Sequence, residues 1–276
     1  MRRFWSRRAE FAFWAAWLAA LGGFLALAVW SDHRYLLPGD LRMTLWVQEL
    51  DRFDWVAPLF RAVNRFGGYD FIAAVLIWSF FVLLLRGLRF EALIVAGAGA
   101  LHYVQLGVRQ VVERPFPADN PPWYAYPDWH LRQWPGPDGF PSGHVFGEVV
   151  VYGLIFAYAG RVLRFRPLVW LVRLACLAVI ALGGPARMYT GAHWPSDVYG
   201  SMLLGGLYLA LAWRIDQGIL HIRTVSAERL LATDAGLRDA PRSRRSRIRL
   251  PLPSRKPAAA PQAAEAATPP EPARTR

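Results

Sequence analysis

Polar side chains that could do chemistry are not scattered over the long apolar runs of this sequence but gather in three short segments, each at the end of such a run. The first reads RQVVERPFP, from Arg109 to Pro117. The second reads PSGH, from Pro141 to His144, and the third reads RMYTGAHWPSD, from Arg187 to Asp197. A helix that starts at PSGH presents unpaired backbone N–H groups. Gly143 lets an anion come close to that backbone, and Ser142 adds a hydroxyl donor, so the tetrapeptide predicts a phosphate seat. His144, at the same end, is suited to hand a proton to a leaving oxygen, because an imidazole exists in both forms near neutral pH. In the third segment Pro195 suits the first turn of a helix, so Asp197 is expected to reach back to His193. A carboxylate on one imidazole nitrogen leaves the other free as a nucleophile. Arg187 adds a planar fork for phosphate oxygens. The competing reading of both segments is plain helix capping with incidental histidines.

Three scattered segments act together only if something brings them to one place, and the apolar runs supply it. Six stretches are long and apolar enough to suggest membrane-crossing helices: Phe11–Trp30, Tyr69–Leu85, Ala92–Val112, Val145–Val162, Leu168–Gly183 and Val198–Trp213. The first, preceded by Arg2, Arg3, Arg7 and Arg8, is longer than a usual signal-peptide core and is read as a retained helix. Segment one leaves the third span, segment two enters the fourth and segment three enters the sixth, so all three lie on one side. Arginines gather at the N-terminus, at Arg86 and Arg89, at Arg161, Arg164 and Arg166, and in the C-terminal tail. The positive-inside rule then puts both termini in the cytoplasm and the chemistry on the extracytoplasmic side.

Composition agrees: 54% of the residues are hydrophobic and 14% aromatic, which excludes an ordinary soluble domain. The formal charge of +12 lies in short inter-span stretches and the tail, not on one helical face, so it reads as topology and not as a nucleic-acid surface. A lone cysteine, Cys176, leaves no disulfide or cysteine metal cluster. No cofactor or metal is expected, since no carboxylate cluster suits magnesium. The expected fold is all-α, a bundle of six transmembrane helices. Residues 1–68 form the first span and an extracytoplasmic amphipathic segment, 69–215 the core, and 216–276 a basic, Pro/Ala-rich tail, disordered beyond about Ala232.

Together the three segments resemble the signatures of the type 2 phosphatidic acid phosphatase (PAP2) superfamily, over roughly residues 69–215. Those signatures are a lysine, six residues and Arg-Pro; then Pro-Ser-Gly-His; then Ser-Arg, five residues, His, three residues and Asp. The second is intact in Pro141, Ser142, Gly143 and His144. The third keeps Arg187, His193 and Asp197, with Ala186 where serine is usual. The first departs: ending it at Pro117 puts Arg109 at the lysine and Phe116 at the arginine, while ending it at Arg114-Pro115 puts Gly107 at the lysine. We prefer the former, because the chain's single lysine is Lys256. On average residue usage PSGH arises by chance in roughly one such chain in a thousand, and the spacing of the third segment adds about a factor of a hundred.

The resemblance implies an integral membrane phosphatase acting on a lipid phosphomonoester or pyrophosphate, with the bilayer and its lipid phosphate as partners. His193 would attack phosphorus and form a phosphohistidine, Asp197 would orient it, and His144 would protonate the leaving group. Arg187, Arg109, Arg114, Ser142 and Gly143 would hold the phosphate. A member that binds lipid phosphate without turnover is the alternative, motivated by Ala186 and Phe116. His102 is read as a packed histidine, and His33, His130 and His221 are assigned nothing. Trp123, Tyr124, Tyr126, Trp129 and Trp134 suit a bilayer interface.

Overall fold

The computed structural model describes residues 6–34, 36–114, 116 and 139–239, with side chains to residue 228. The aromatic run, His130, Pro115, Pro117 and residues 240–276 lie outside the described residues. Eight α-helices occur among the described residues: α1 (Arg7–Ser31), α2 (Asp40–Gln48), α3 (Val56–Phe66), α4 (Tyr69–Leu85), α5 (Arg89–Val111), α6 (Gly143–Val162), α7 (Arg166–Tyr189) and α8 (Pro195–Asp239). No strand occurs among them, so the fold is all-α.

Five of these helices are long and apolar enough to cross a membrane. A sixth span is formed by α3 and α4 taken together, bent by 52° across Gly67 and Gly68. Helix α1 is apolar on nearly every face, yet in its most apolar stretch only 11% of residues are buried by protein, against 56% in α6. Such a helix is stable where lipid covers the remainder. Exposed Leu85, Leu93, Trp170 and Leu171 make the same point on other helices. The chain is thus an integral, multi-pass membrane protein with α6 at its centre.

Two expectations change. Helix α7 continues past Gly183 to Tyr189, with Pro185 inside it, so Arg187 sits in a helical last turn and not in a linker. Helix α8 continues to Asp239, so residues 233–239 are helical where disorder was expected. The amphipathic stretch after α1 folds into α2, a 3₁₀ turn (Glu49–Arg52) and α3, which buries Val56, Phe60 and Val63 in one row. The chain divides into two compact units, Met1–Thr224 and Val225–Arg276. The first holds everything that follows.

Within it, the end of the bundle formed by the α5 N-terminus, the α6 C-terminus and mid-α8 carries an ion cluster. Arg161 bonds Asp216 at 2.6 Å and Glu91 at 3.0 Å, and Arg223 bonds Glu91 at 3.2 Å. The opposite end carries the three chemical segments.

Candidate active site

Local rules explain how the third segment takes its shape. At the end of α7, the Gly191 N–H donates to the Met188 carbonyl and the Ala192 N–H to the Arg187 carbonyl, with Gly191 at φ +61°. This is a Schellman closure, and it needs glycine because an L side chain strains at that φ. The chain reverses and Trp194 becomes the cap of α8. Asp197, three residues on, accepts the Trp194 N–H through Oδ2 at 2.9 Å, as in a capping box. His193 is left between the two helices, buried at 3% exposure.

PSGH is tied down from two sides. Gln105 of α5 donates to the Pro141 carbonyl at 3.1 Å, and Ser201 of α8 donates to the Ser142 carbonyl at 2.8 Å. Ser142 caps α6, yet its hydroxyl makes no hydrogen bond to the first turn. The leading N–H groups of α6 therefore have no side-chain cap.

The His193 Nδ1 lies 3.0 Å from the Gly139 carbonyl and 3.6 Å from Asp197 Oδ2. The carbonyl accepts only from a protonated Nδ1, which leaves Nε2 with its lone pair. Burial holds this imidazole well below its ordinary value of 6.5. The Arg187 and Arg109 charges push the same way, against the opposing Gly139 carbonyl. His193 is therefore neutral at physiological pH, as a nucleophile must be.

The other groups close a ring around it. Phe116 packs against His193 with centroids 5.4 Å apart, and Arg109 lies over the Phe116 ring at 5.8 Å. Arg109 also reaches the Tyr69 hydroxyl at 3.5 Å, and the Tyr69 ring packs on His144 at 4.9 Å. A side chain at Gly143 would overlap the Tyr69 hydroxyl, so glycine is required there by close approach. The charges of Arg187 and Arg109 act on both imidazoles. Ser142 Oγ and Arg187 Nε are buried without a hydrogen-bond partner among the described residues.

This constellation can present a neutral nucleophile, a second imidazole, two guanidinium groups and an open helix start to one anion. Two comparisons bear on it. Residues 91–219 match the model of the PAP2 superfamily. Over those residues the chain is similar to that superfamily. A crystal structure described as the first transmembrane PAP2-type phosphatidylglycerolphosphate phosphatase, from Bacillus subtilis, is similar in fold. Its TM-score is 0.59 at 21% identity, over 74% of this chain and 96% of that one. No curated protein matches.

The matched residues hold much of the site but not all of it. His193, His144, Arg187, Arg109, Ser142 and Gly143 come together. Arg114 goes elsewhere: fully buried, it bonds Asp197 Oδ1 at 2.6 Å, Asp40 Oδ2 at 2.6 Å and Ser196 Oγ at 2.6 Å. Its donors serve carboxylates, so the expected phosphate contact from Arg114 is revised to a brace behind Asp197. Asp197 likewise stands farther from His193 than the Gly139 carbonyl does. Sequence reasoning missed Gly139, Asp40 and Tyr69. Asp40 and Tyr69 precede the matched PAP2 residues, and Asp40 also accepts the Ser196 N–H at 3.0 Å. No spacing pattern marks either one. His102 packs beside Tyr69 at 5.5 Å. Among the described residues no group of three His, Cys, Asp or Glu is arranged to hold a metal.

Proposed function

We propose that this protein is a membrane lipid phosphatase that hydrolyses a lipid phosphomonoester or lipid pyrophosphate through a phosphohistidine. The observation that carries the reading is the neutral, buried His193, its Nδ1 on the Gly139 carbonyl, in one ring with His144, Arg109 and Arg187. A helix cap or a passive phosphate seat needs no oriented nucleophile. The PAP2 match and the fold of the Bacillus subtilis phosphatase support the same chemistry.

In the first step the His193 Nε2 lone pair attacks phosphorus and the bond from phosphorus to the leaving oxygen breaks. His144, protonated, gives its proton to that oxygen. In the second step water attacks phosphorus and gives a proton to His144. The nitrogen–phosphorus bond breaks, and His193 returns to its starting form. Arg187, Arg109, the Ser142 hydroxyl and the α6 N–H groups stabilise the equatorial oxygens, which is most of the catalytic task in phosphoryl transfer. Asp197 holds the α8 start and Arg114 braces it. The site faces the extracytoplasmic leaflet, with both termini cytoplasmic, on the arginine distribution.

The test is phosphate release by detergent-solubilised protein from phosphatidic acid, phosphatidylglycerol phosphate, undecaprenyl pyrophosphate and lipid A phosphate. EDTA is present throughout and His193→Ala is the control. Release that vanishes in the variant supports the reading. No release by folded protein, with phosphate still bound, transfers it to binding without turnover.

A further inference from the structure

Two helices begin at the site end of the bundle, and their starts are finished differently. The first turn of α6 has no side-chain cap. The start of α8 is closed. Pro195 has no N–H to offer. The Asp197 and Val198 N–H groups donate to the Trp194 carbonyl at 3.0 and 3.2 Å, and the Ser196 N–H donates to Asp40 Oδ1 at 3.0 Å. Asp40 comes to α8 from the first residue of α2, 156 positions away in the chain, and it precedes the matched residues 91–219. A carboxylate is well suited to this place, because a helix start favours negative charge.

The Asp40 carboxylate is 3% exposed and fully used. Its Oδ2 accepts the Leu37 N–H at 2.9 Å and Arg114 Nη2 at 2.6 Å, and the Ser196 hydroxyl donates to the same carboxylate, 2.7 Å from Oδ2 and 2.8 Å from Oδ1. With the Ser196 N–H, these donors match the capacity of one carboxylate. Arg114 Nη1 donates in turn to Ser196 Oγ and to Asp197 Oδ1, each at 2.6 Å, and Asp197 Oδ2 accepts the Trp194 N–H at 2.9 Å. The links that start at Asp40 thus end on the residue after His193. The other flank of His193 is held by the Ala192 N–H on the Arg187 carbonyl at 3.0 Å. Buried links of this kind hold geometry, because breaking one leaves a polar partner unpaired away from water.

We propose that Asp40 is a positioning residue for His193: it closes the start of α8 and, through Ser196, Arg114 and Asp197, fixes the turn that carries the nucleophile. The links from Asp40 run through Arg114, Ser196 and Asp197, whereas the groups assigned to the phosphate are Arg187, Arg109, Ser142 and the α6 start. Loss of Asp40 should therefore misplace the nucleophile and spare the phosphate seat. The consequence for turnover rests on the phosphatase reading; the consequence for the α7–α8 turn does not.

Three measurements on the full-length protein in detergent compare wild type, Asp40→Asn and Ser196→Ala. They are kcat and KM on the best lipid substrate, binding of inorganic phosphate by calorimetry, and amide hydrogen exchange by mass spectrometry. Asparagine keeps the shape of Asp40, removes its charge and turns one acceptor into a donor. Expected in Asp40→Asn is a kcat roughly ten- to hundredfold lower, with KM and phosphate affinity within about twofold of wild type. Amides of residues 190–198 should exchange about tenfold faster in that variant, while those of residues 89–98, at the far end of the bundle, keep wild-type rates. Ser196→Ala cuts the hydroxyl link but keeps the Asp40–Arg114 pair, so the same pattern should appear with a smaller loss. Unchanged kcat in folded Asp40→Asn overturns the proposal; if that variant does not fold, unchanged kcat in Ser196→Ala does so. A KM or phosphate affinity that shifts together with kcat also overturns it, as does a loss of kcat that the unfolded fraction accounts for. Failure of wild type to release phosphate from any lipid, with the local exchange difference present, overturns the phosphatase reading and leaves the positioning result standing.

Discussion

At both ends of this helix bundle arginines meet buried carboxylates, yet only one end is built to receive something. At the far end Arg161 and Arg223 meet Glu91 and Asp216, two cations to two anions, with the Arg161 guanidinium also lying over Tyr158 at 5.1 Å. That cluster ties α5, α6 and α8 together and includes no histidine. At the site end Arg114 is likewise bound, by Asp40 and Asp197. Around it, however, stand two histidines, a helix start without a side-chain cap, and the unpartnered Ser142 Oγ and Arg187 Nε. Arginines paired with buried carboxylates thus serve as clamps at both ends. What marks a site is the polar capacity left over after the clamps are made.

The comparison breaks most visibly at His193. His193→Ala is expected to lower turnover by about 10⁴-fold or more while the fold persists, read by phosphate release and by melting temperature. Next is Arg114→Met, which leaves Asp40 and Asp197 buried without their cation. It should cost about 3–5 kcal/mol of stability, and activity should fall with it, as denaturant titration in detergent would show. Arg161→Ala sharpens the contrast from the far end. Because Arg161 is partly exposed and Arg223 still neutralises Glu91, its cost should be about 2 kcal/mol, with KM unchanged in the folded fraction. Tyr69→Phe removes only a hydroxyl over the phosphate seat and should weaken kcat/KM about tenfold, without a stability change.

The smallest effects are in pH. The His193 value is lowered by folding, so below pH 6.5 the unfolded chain binds a proton that the folded one refuses, and stability falls with acid. The exposed His33 runs the other way. Its hydrogen bond and charge contact with Asp32 raise its value, so its contribution is present below 6.5 and is lost as pH rises through the folded value. Melting temperature against pH for wild type and His33→Ala should therefore differ on the acid side and converge as pH rises through that folded value. A difference confined to the alkaline side would reverse the assignment.

Much of this was legible in the sequence for plain reasons. A charge-free apolar run the length of a bilayer has few alternatives to a spanning helix, so the six spans and the common side of the three segments followed from counting. PSGH and the spacing from Arg187 to Asp197 are local, and local geometry at helix ends is governed by residues within one turn. Capping rules placed Asp197 in the first turn of α8 and reaching back to His193; its Oδ2 accepts the Trp194 N–H at 2.9 Å and stands 3.6 Å from His193 Nδ1.

Tertiary structure decided what depends on residues far apart in the chain. It gave Arg114 to Asp40 and Asp197 instead of to phosphate, because Asp40 arrives from a helix 74 residues away. It supplied Gly139 as the nearer partner of His193, 54 residues upstream. It brought Tyr69 over Gly143 and seated Glu148 between Gly67 and Gly183, where only the absence of two side chains makes room. Sequence spacing fixes neighbours along one helix. Which groups meet between helices is set by how the helices pack, and here that packing separates the groups that clamp from the groups that stand ready for a ligand.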